Sequence, residues 1–135
     1  TCYALTYASD VFTHGMAGGS VTDWTLYDSH YTERFMGTPA NNPEGYISSN
    51  VMTHASKYKG MIQIVHGMID DNVHIQNSIQ FISKLQDLKK DFDFMPYSGG
   101  RHGWGGNKGM HFQNMKTKFI YKYLLEKEVP KTLLR

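Results

Sequence analysis

One cysteine, Cys2, stands in 135 residues, so no disulfide can close within the chain. Neither a Cys-rich cluster nor an H-E-x-x-H string is present, which removes the recognisable zinc signatures. Long apolar runs are lacking as well; none approaches the roughly 18 residues needed to cross a bilayer. Charge is nearly balanced, with 14 Lys and Arg against 12 Asp and Glu and a net charge of +2. No run of basic residues interrupts that balance, so no nucleic acid or other polyanion is expected as a partner. The late lysines Lys116, Lys118, Lys122 and Lys127 are spaced like the solvated face of a helix. Repeats, low-complexity tracts and linkers are missing too, and one domain with a real core is expected from a chain that is 40% hydrophobic. The start, Thr1-Cys2-Tyr3-Ala4-Leu5, has no Met and no secretory leader, and is expected to be a cut into something longer.

What is there is an alternation of strand-like and helix-like stretches. Residues 1–8 read as the end of a helix, and Val11 to Ala17, closed by Gly18-Gly19, as a buried strand. Trp24 to Met36 reads as one helix or helical turn with Asp23 as its N-cap. Pro39 to Pro43 reads as a loop and Glu44 to Ser56 as short helical turns. Met61-Ile62-Gln63-Ile64-Val65 is a nearly continuous apolar run of strand length. Ile75, Ile79, Ile82 and Leu85 recur at helical spacing, predicting an amphipathic helix to about Lys90. Phe92 to Tyr97 alternates and meets Gly99-Gly100, which predicts a third strand and a loop. Met110 to Lys127, with Phe112, Met115, Phe119 and Tyr123 on one face, closes the chain as a helix. The order β-α-β-α-β-α implies an α/β fold, a parallel sheet with crossover helices. Ligands and catalytic groups gather at the carboxyl ends of such strands.

Two residues fall at that edge. Asp70 follows the second strand and His102 the third, in the chain order in which an α/β-hydrolase supplies the last two members of a Ser…Asp…His triad. No Ser here has Gly two places before and two places after it, so the nucleophile elbow is absent from these residues. The plainer alternative makes Asp70-Asp71 an N-cap pair for the next helix and His102 an ordinary loop residue. A metal site competes for His66, Asp70, Asp71 and His74, although His66 at a strand end also reads as structural. His30 and Glu33, three apart on a helix, read as a surface or core polar pair. Trp24, Tyr27 and Tyr31 form an aromatic group, with Tyr27 and Tyr31 on one helix face. They read either as core packing or as walls of a flat apolar pocket that suits proline.

Three stretches taken together carry a family resemblance. Trp24-Thr25-Leu26-Tyr27-Asp28-Ser29-His30-Tyr31-Thr32-Glu33-Arg34-Phe35-Met36-Gly37, then His66-Gly67-Met68-Ile69-Asp70-Asp71-Asn72-Val73-His74, then His102-Gly103, resemble the catalytic domain of the dipeptidyl peptidase IV group in the prolyl oligopeptidase family of serine peptidases. The resemblance runs over nearly the whole chain. It implies that Asp70 and His102 are the triad Asp and His. It also implies that Val21, Trp24, Tyr27 and Tyr31 hold the penultimate proline of the substrate, that Val73 lines the same region, and that Asn72 bonds a substrate carbonyl.

By the same resemblance, residues 1–135 are the C-terminal part of an α/β-hydrolase peptidase domain. The nucleophile elbow is expected just before Thr1, with a β-propeller and the amine-binding acidic residues further upstream. The implied parent needs no cofactor and is a periplasmic or cell-surface homodimer that releases X-Pro or X-Ala dipeptides. Related tripeptidyl and acylaminoacyl peptidases would share the triad. A homologue that lost its nucleophile would instead be a partner-binding module. The chain departs from the family at Ser98-Gly99-Gly100-Arg101, which replaces a more acidic turn and puts the rigidity of the His102 loop in question.

Overall fold

The computed structural model describes residues 1–134. Three strands form one parallel sheet in the order β1 (His14–Gly18), β2 (Met61–Gly67), β3 (Asp93–Tyr97). His14 pairs with Met61 and Gly18 with Val65; Gln63 pairs with Asp93 and Gly67 with Tyr97. Parallel neighbours need long crossovers, and these carry the helices. Helix α1 (Cys2–Tyr7) precedes β1; α2 (Ser29–Met36), α3 (Pro43–Ser49) and α4 (Val51–His54) lie between β1 and β2. Helix α5 (Gln76–Asp87) joins β2 to β3, and α6 (Gly106–Phe119) follows β3. The fold is α/β, as the alternation implied.

β2 is the central strand, and from Ile62 to Gly67 every residue is buried. That explains its continuous apolar run, because a strand covered on both faces has no solvent side to mark with polar residues. Ile62 and Ile64 join Leu5, Val51, Ala55, Tyr58, Phe81 and Leu85 in the core between the sheet and the helices. Among the described residues no helix is long and apolar enough to cross a membrane.

Four expectations about local structure need correction. The first strand begins at His14 rather than Val11, since Val11 and Phe12 sit in an exposed turn with amides bonded back to Ala8. Trp24 to Met36 is not one helix. A 3-10 turn, Trp24–Leu26, is capped by Asp23, then Tyr27 is extended, and Asp28 caps α2 by accepting from Tyr31 N at 2.8 Å. Helix α5 ends at Asp87 and turns Asn77, Ser78, Phe81 and Leu85 inward, so Ile79 is exposed. Helix α6 starts at Gly106, before Met110, and passes into a π turn over Ile120–Leu125. Of the face expected on it, Phe119 is buried while Phe112, Met115 and Tyr123 are half-buried.

Candidate active site

The ends of β2 and β3 stay bonded after the strands finish. Met68 N donates to Tyr97 O at 3.0 Å and Ile69 N to Gly100 O at 3.0 Å, so the two loops run side by side. Asp70 lies in the first loop with its side chain 1% exposed; His102 lies in the second at 45%. His102 Nδ1 is 2.9 Å from Asp70 Oδ2. Asp70 Oδ1 accepts from the amides of Asn72 (3.0 Å) and Val73 (2.9 Å), a local turn that fixes the carboxylate plane. Burial alone pushes the Asp70 carboxyl upward. The bonds from His102, Asn72 and Val73 together outweigh it and hold the group below its ordinary range, so it is a carboxylate at neutral pH.

β1 supplies a third wall. Gly19 follows it at φ +53°, and a β-carbon there would stand 3.0 Å from His102 Cε1 and 3.2 Å from Nδ1. Glycine leaves room for the imidazole in a backbone conformation that other residues resist. His102 is thus packed against the ends of all three strands. Its Nε2, across the ring from Asp70, has no hydrogen-bond partner among the described residues. A histidine held this way through Nδ1 is suited to exchange protons at Nε2.

The loop of His102 is rich in glycine but is tied down. Trp104 stacks on Tyr97, with centroids 4.3 Å apart and planes 19° apart. Arg101 pairs with Asp71 across the two loops, and Lys108 donates to Ser98 O. Arg101, whose stretch put the rigidity of this loop at issue in the sequence, thus brings a tether of its own.

The aromatic group stands beside this centre. Trp24 and Tyr31 stack at 6.2 Å, and Tyr27 meets both edge-on, at 6.1 and 5.5 Å. Tyr31 is 48% exposed, so the group is not simple core filling. Tyr27 OH donates to Asn72 Oδ1 at 2.9 Å, which joins the rings to the loop of Asp70. Asn77 on α5 positions the start of this segment: its Oδ1 accepts from Thr22 N at 3.0 Å, and its carbonyl accepts from Thr22 Oγ1 at 2.7 Å. Val21, half-buried, is placed by the same bonds. Val73 is 4% exposed, so it backs the loop rather than opening into a pocket.

Other candidates are not gathered. Asp71 faces Arg101, His74 Nδ1 accepts from Gln76 N, and His30 and Glu33 are exposed on α2. Among the described residues no three His, Cys, Asp or Glu side chains converge as a metal requires. Asp70 does not cap α5, whose N-cap is Ile75. Two residues that position the centre escaped sequence reasoning: Asn77, hidden inside an apolar helix pattern, and Gly19, whose only signal is the Gly18-Gly19 pair.

A model of the prolyl oligopeptidase family matches residues 1–127. The chain belongs to that family. A probable dipeptidyl-aminopeptidase B of Coccidioides posadasii is 43% identical over 120 residues, covering 87% of this chain and 12% of that protein. The human prolyl endopeptidase FAP is 39% identical over 120 residues, covering 87% of the chain and 16% of FAP. The crystal structure of Porphyromonas gingivalis dipeptidyl peptidase 4 superposes with a TM-score of 0.89 at 40% identity, over 92% of this chain and 18% of that one. The chain thus spans less than a fifth of each of these prolyl oligopeptidase family proteins.

Proposed function

We propose that this chain is the C-terminal part of the catalytic domain of a serine exopeptidase that removes X-Pro and X-Ala dipeptides from free N-termini. The observation that carries the reading is the 2.9 Å contact between a buried Asp70 carboxylate and His102 Nδ1, with Nε2 left for a reaction partner. In this reading a serine outside residues 1–135 is the nucleophile. His102 Nε2 takes its proton and returns it to the leaving amine, while Asp70 fixes the tautomer and stabilises the imidazolium. Trp24, Tyr27 and Tyr31 with Val21 receive the proline ring, and Asn72, held by Tyr27, orients the peptide. The chemistry uses side chains and backbone donors alone, with no cofactor. Names of the matched relatives, which include dipeptidyl-aminopeptidase and dipeptidyl peptidase, support release of dipeptides. A homodimer at the cell surface or in the periplasm completes the proposal.

The test is made on the full-length protein that carries this segment. A serine-reactive fluorophosphonate should label it at one site, and a Gly-Pro amide reporter should be cleaved; Asp70→Asn should abolish most of that cleavage. Absence of labelling and cleavage in folded protein would turn the reading toward a partner-binding homologue.

A further inference from the structure

His66, next to last in β2, is completely buried, and no step above uses it. Burying an imidazole is costly unless its nitrogens are bonded. Both are. Nδ1 lies 2.7 Å from Ser78 Oγ on α5, and Nε2 lies 2.7 Å from the Val73 carbonyl oxygen. A carbonyl can only accept, so Nε2 carries the proton; in the neutral ring Nδ1 is then the acceptor and the Ser78 hydroxyl donates to it. The same Nε2 is 3.2 Å from Asp70 Oδ2, the oxygen that His102 contacts. One N–H therefore faces two acceptors, the Val73 carbonyl and the Asp70 carboxylate.

The two carboxylate oxygens are held in different ways. Oδ1 is fixed by amides of its own loop, which move whenever the loop moves. Apart from His102, a side chain 45% exposed, Oδ2 has its polar contact with His66. His66 is rooted in the central strand and braced on α5 through Ser78. It is the side-chain link from Asp70 to the rigid frame, beside the backbone bond of Asp70 N to Gly67 O.

We propose that His66 is a positioning residue: its Nε2–H, set in that tautomer by the Val73 carbonyl and accommodated by a Ser78 hydroxyl that donates to Nδ1, holds Asp70 Oδ2 where His102 can meet it. The activity readout for this role rests on the peptidase reading above, whereas the tautomer does not. Removing the donor takes away the bonds that hold Asp70 Oδ2 and the Val73 carbonyl to the strand, so the Asp70–Val73 turn can shift as a unit away from His102. Small displacements of catalytic groups are costly in rate.

The experiment compares two polar replacements in the full-length enzyme. His66→Gln places an amide N–H near the position of Nε2; His66→Asn, one carbon shorter, reaches only the region of Nδ1. His66→Asn should lower kcat about 100-fold, the scale of a small misplacement, with KM nearly unchanged, and His66→Gln should recover most of it. Equal kcat in the two variants, or a raised KM with kcat intact, would overturn the proposal. Histidine ¹⁵N NMR on the wild type reads the tautomer directly and decides the matter if neither variant folds. A proton on Nε2 of His66 is expected in the wild type and is retained in Ser78→Ala, because the Val73 carbonyl and the Asp70 carboxylate still accept it; a proton fixed on Nδ1 in the wild type overturns the proposal. A wild type with the expected tautomer but no peptidase activity would remove the peptidase reading and leave this geometry standing.

Discussion

A β-carbon on Gly67 would stand 2.0 Å from the carbonyl oxygen of Arg101 and 2.4 Å from that of Gly100. The strand end that leads to Asp70 and the loop that carries His102 thus touch backbone to backbone. Only glycine permits this, because the obstacle is main chain and cannot swing aside. Gly67→Ala should force the loops apart, costing about 1–3 kcal/mol as other overpacked sites do. In the full-length protein we expect a lower thermal midpoint and a lower kcat together. A variant with both values unchanged would mean that the contact is slack.

Asp70 and Asp71 are neighbours with opposite settings. Asp70 is buried against His102, whereas Asp71 is 62% exposed and pairs with Arg101, itself 65% exposed. An exposed ion pair contributes about 0–1 kcal/mol, so Asp71→Asn should cost at most severalfold in kcat. Asp70→Asn should cost about 10⁴-fold, the guide from better-known triads, because the amide disturbs the His102 tautomer. Steady-state kinetics on the two variants checks the assignment; the reverse order would move the triad role to Asp71.

The lowered Asp70 pKa also sets a pH dependence. A carboxyl whose folded pKa lies below its unfolded value stabilises the fold above the unfolded pKa, about 3.9 for Asp. That contribution is lost as pH falls through the folded pKa. Wild type should therefore melt above Asp70→Asn at neutral pH, with the gap closing only below about pH 4. Melting curves from pH 7 to pH 2.5 test this. A gap that closes between pH 5 and 6 would contradict the depressed pKa.

The sheet and both ends of the Asp70–His102 pair were legible because β2 and β3 announce themselves simply. One is a continuous apolar run and the other an alternating stretch closed by Gly99-Gly100; the first leads into a loop with the pair Asp70-Asp71 and the second into a loop with one histidine, His102. The register of α5 was not legible. Its isoleucines suggest a face through Ile75, Ile79 and Ile82, yet the buried face includes Asn77 and Ser78. These polar residues point inward because Thr22 and His66 use them, and a periodicity count cannot see such partners. The break at Tyr27 was hidden for a related reason. Asp23 and Asp28 are both capable caps, and only the packing of Tyr27 toward Asn72 decides that the chain uses the two in turn.

Trp104 tests whether the His102 loop is held by stacking. Glycine occupies positions 99, 100, 103, 105 and 106, so the loop has little side-chain packing besides the ring on Tyr97. An aromatic pair contributes about 0.5–1.5 kcal/mol beyond its buried area. Trp104→Ala should lower kcat severalfold to about tenfold through that loss, and Trp104→Phe should restore most of it by stacking again. An Ala variant as active as wild type would assign the loop's order to its backbone bonds and the Arg101–Asp71 pair.

Tyr31 decides what the aromatic group is for. It stacks on Trp24, meets Tyr27 edge-on and stands 48% exposed, so one side of the ring is available to a ligand. A pyrrolidine ring is compact, already rigid and apolar, and burying it between aromatic faces displaces water from both surfaces. Alanine presents a single methyl group and covers less of the same wall. Losing the Tyr31 ring should cost at most about 3 kcal/mol in transition-state binding, the scale of a large-to-small change at a packed site. In Tyr31→Ala of the full-length enzyme, kcat/KM for a Gly-Pro reporter should therefore fall much further than for a Gly-Ala reporter. Partial misfolding lowers both rates by the same factor and leaves their ratio unchanged, so the ratio isolates the pocket. A folded variant whose Pro-to-Ala ratio equals that of wild type would return Tyr31 to packing against Trp24 and Phe35.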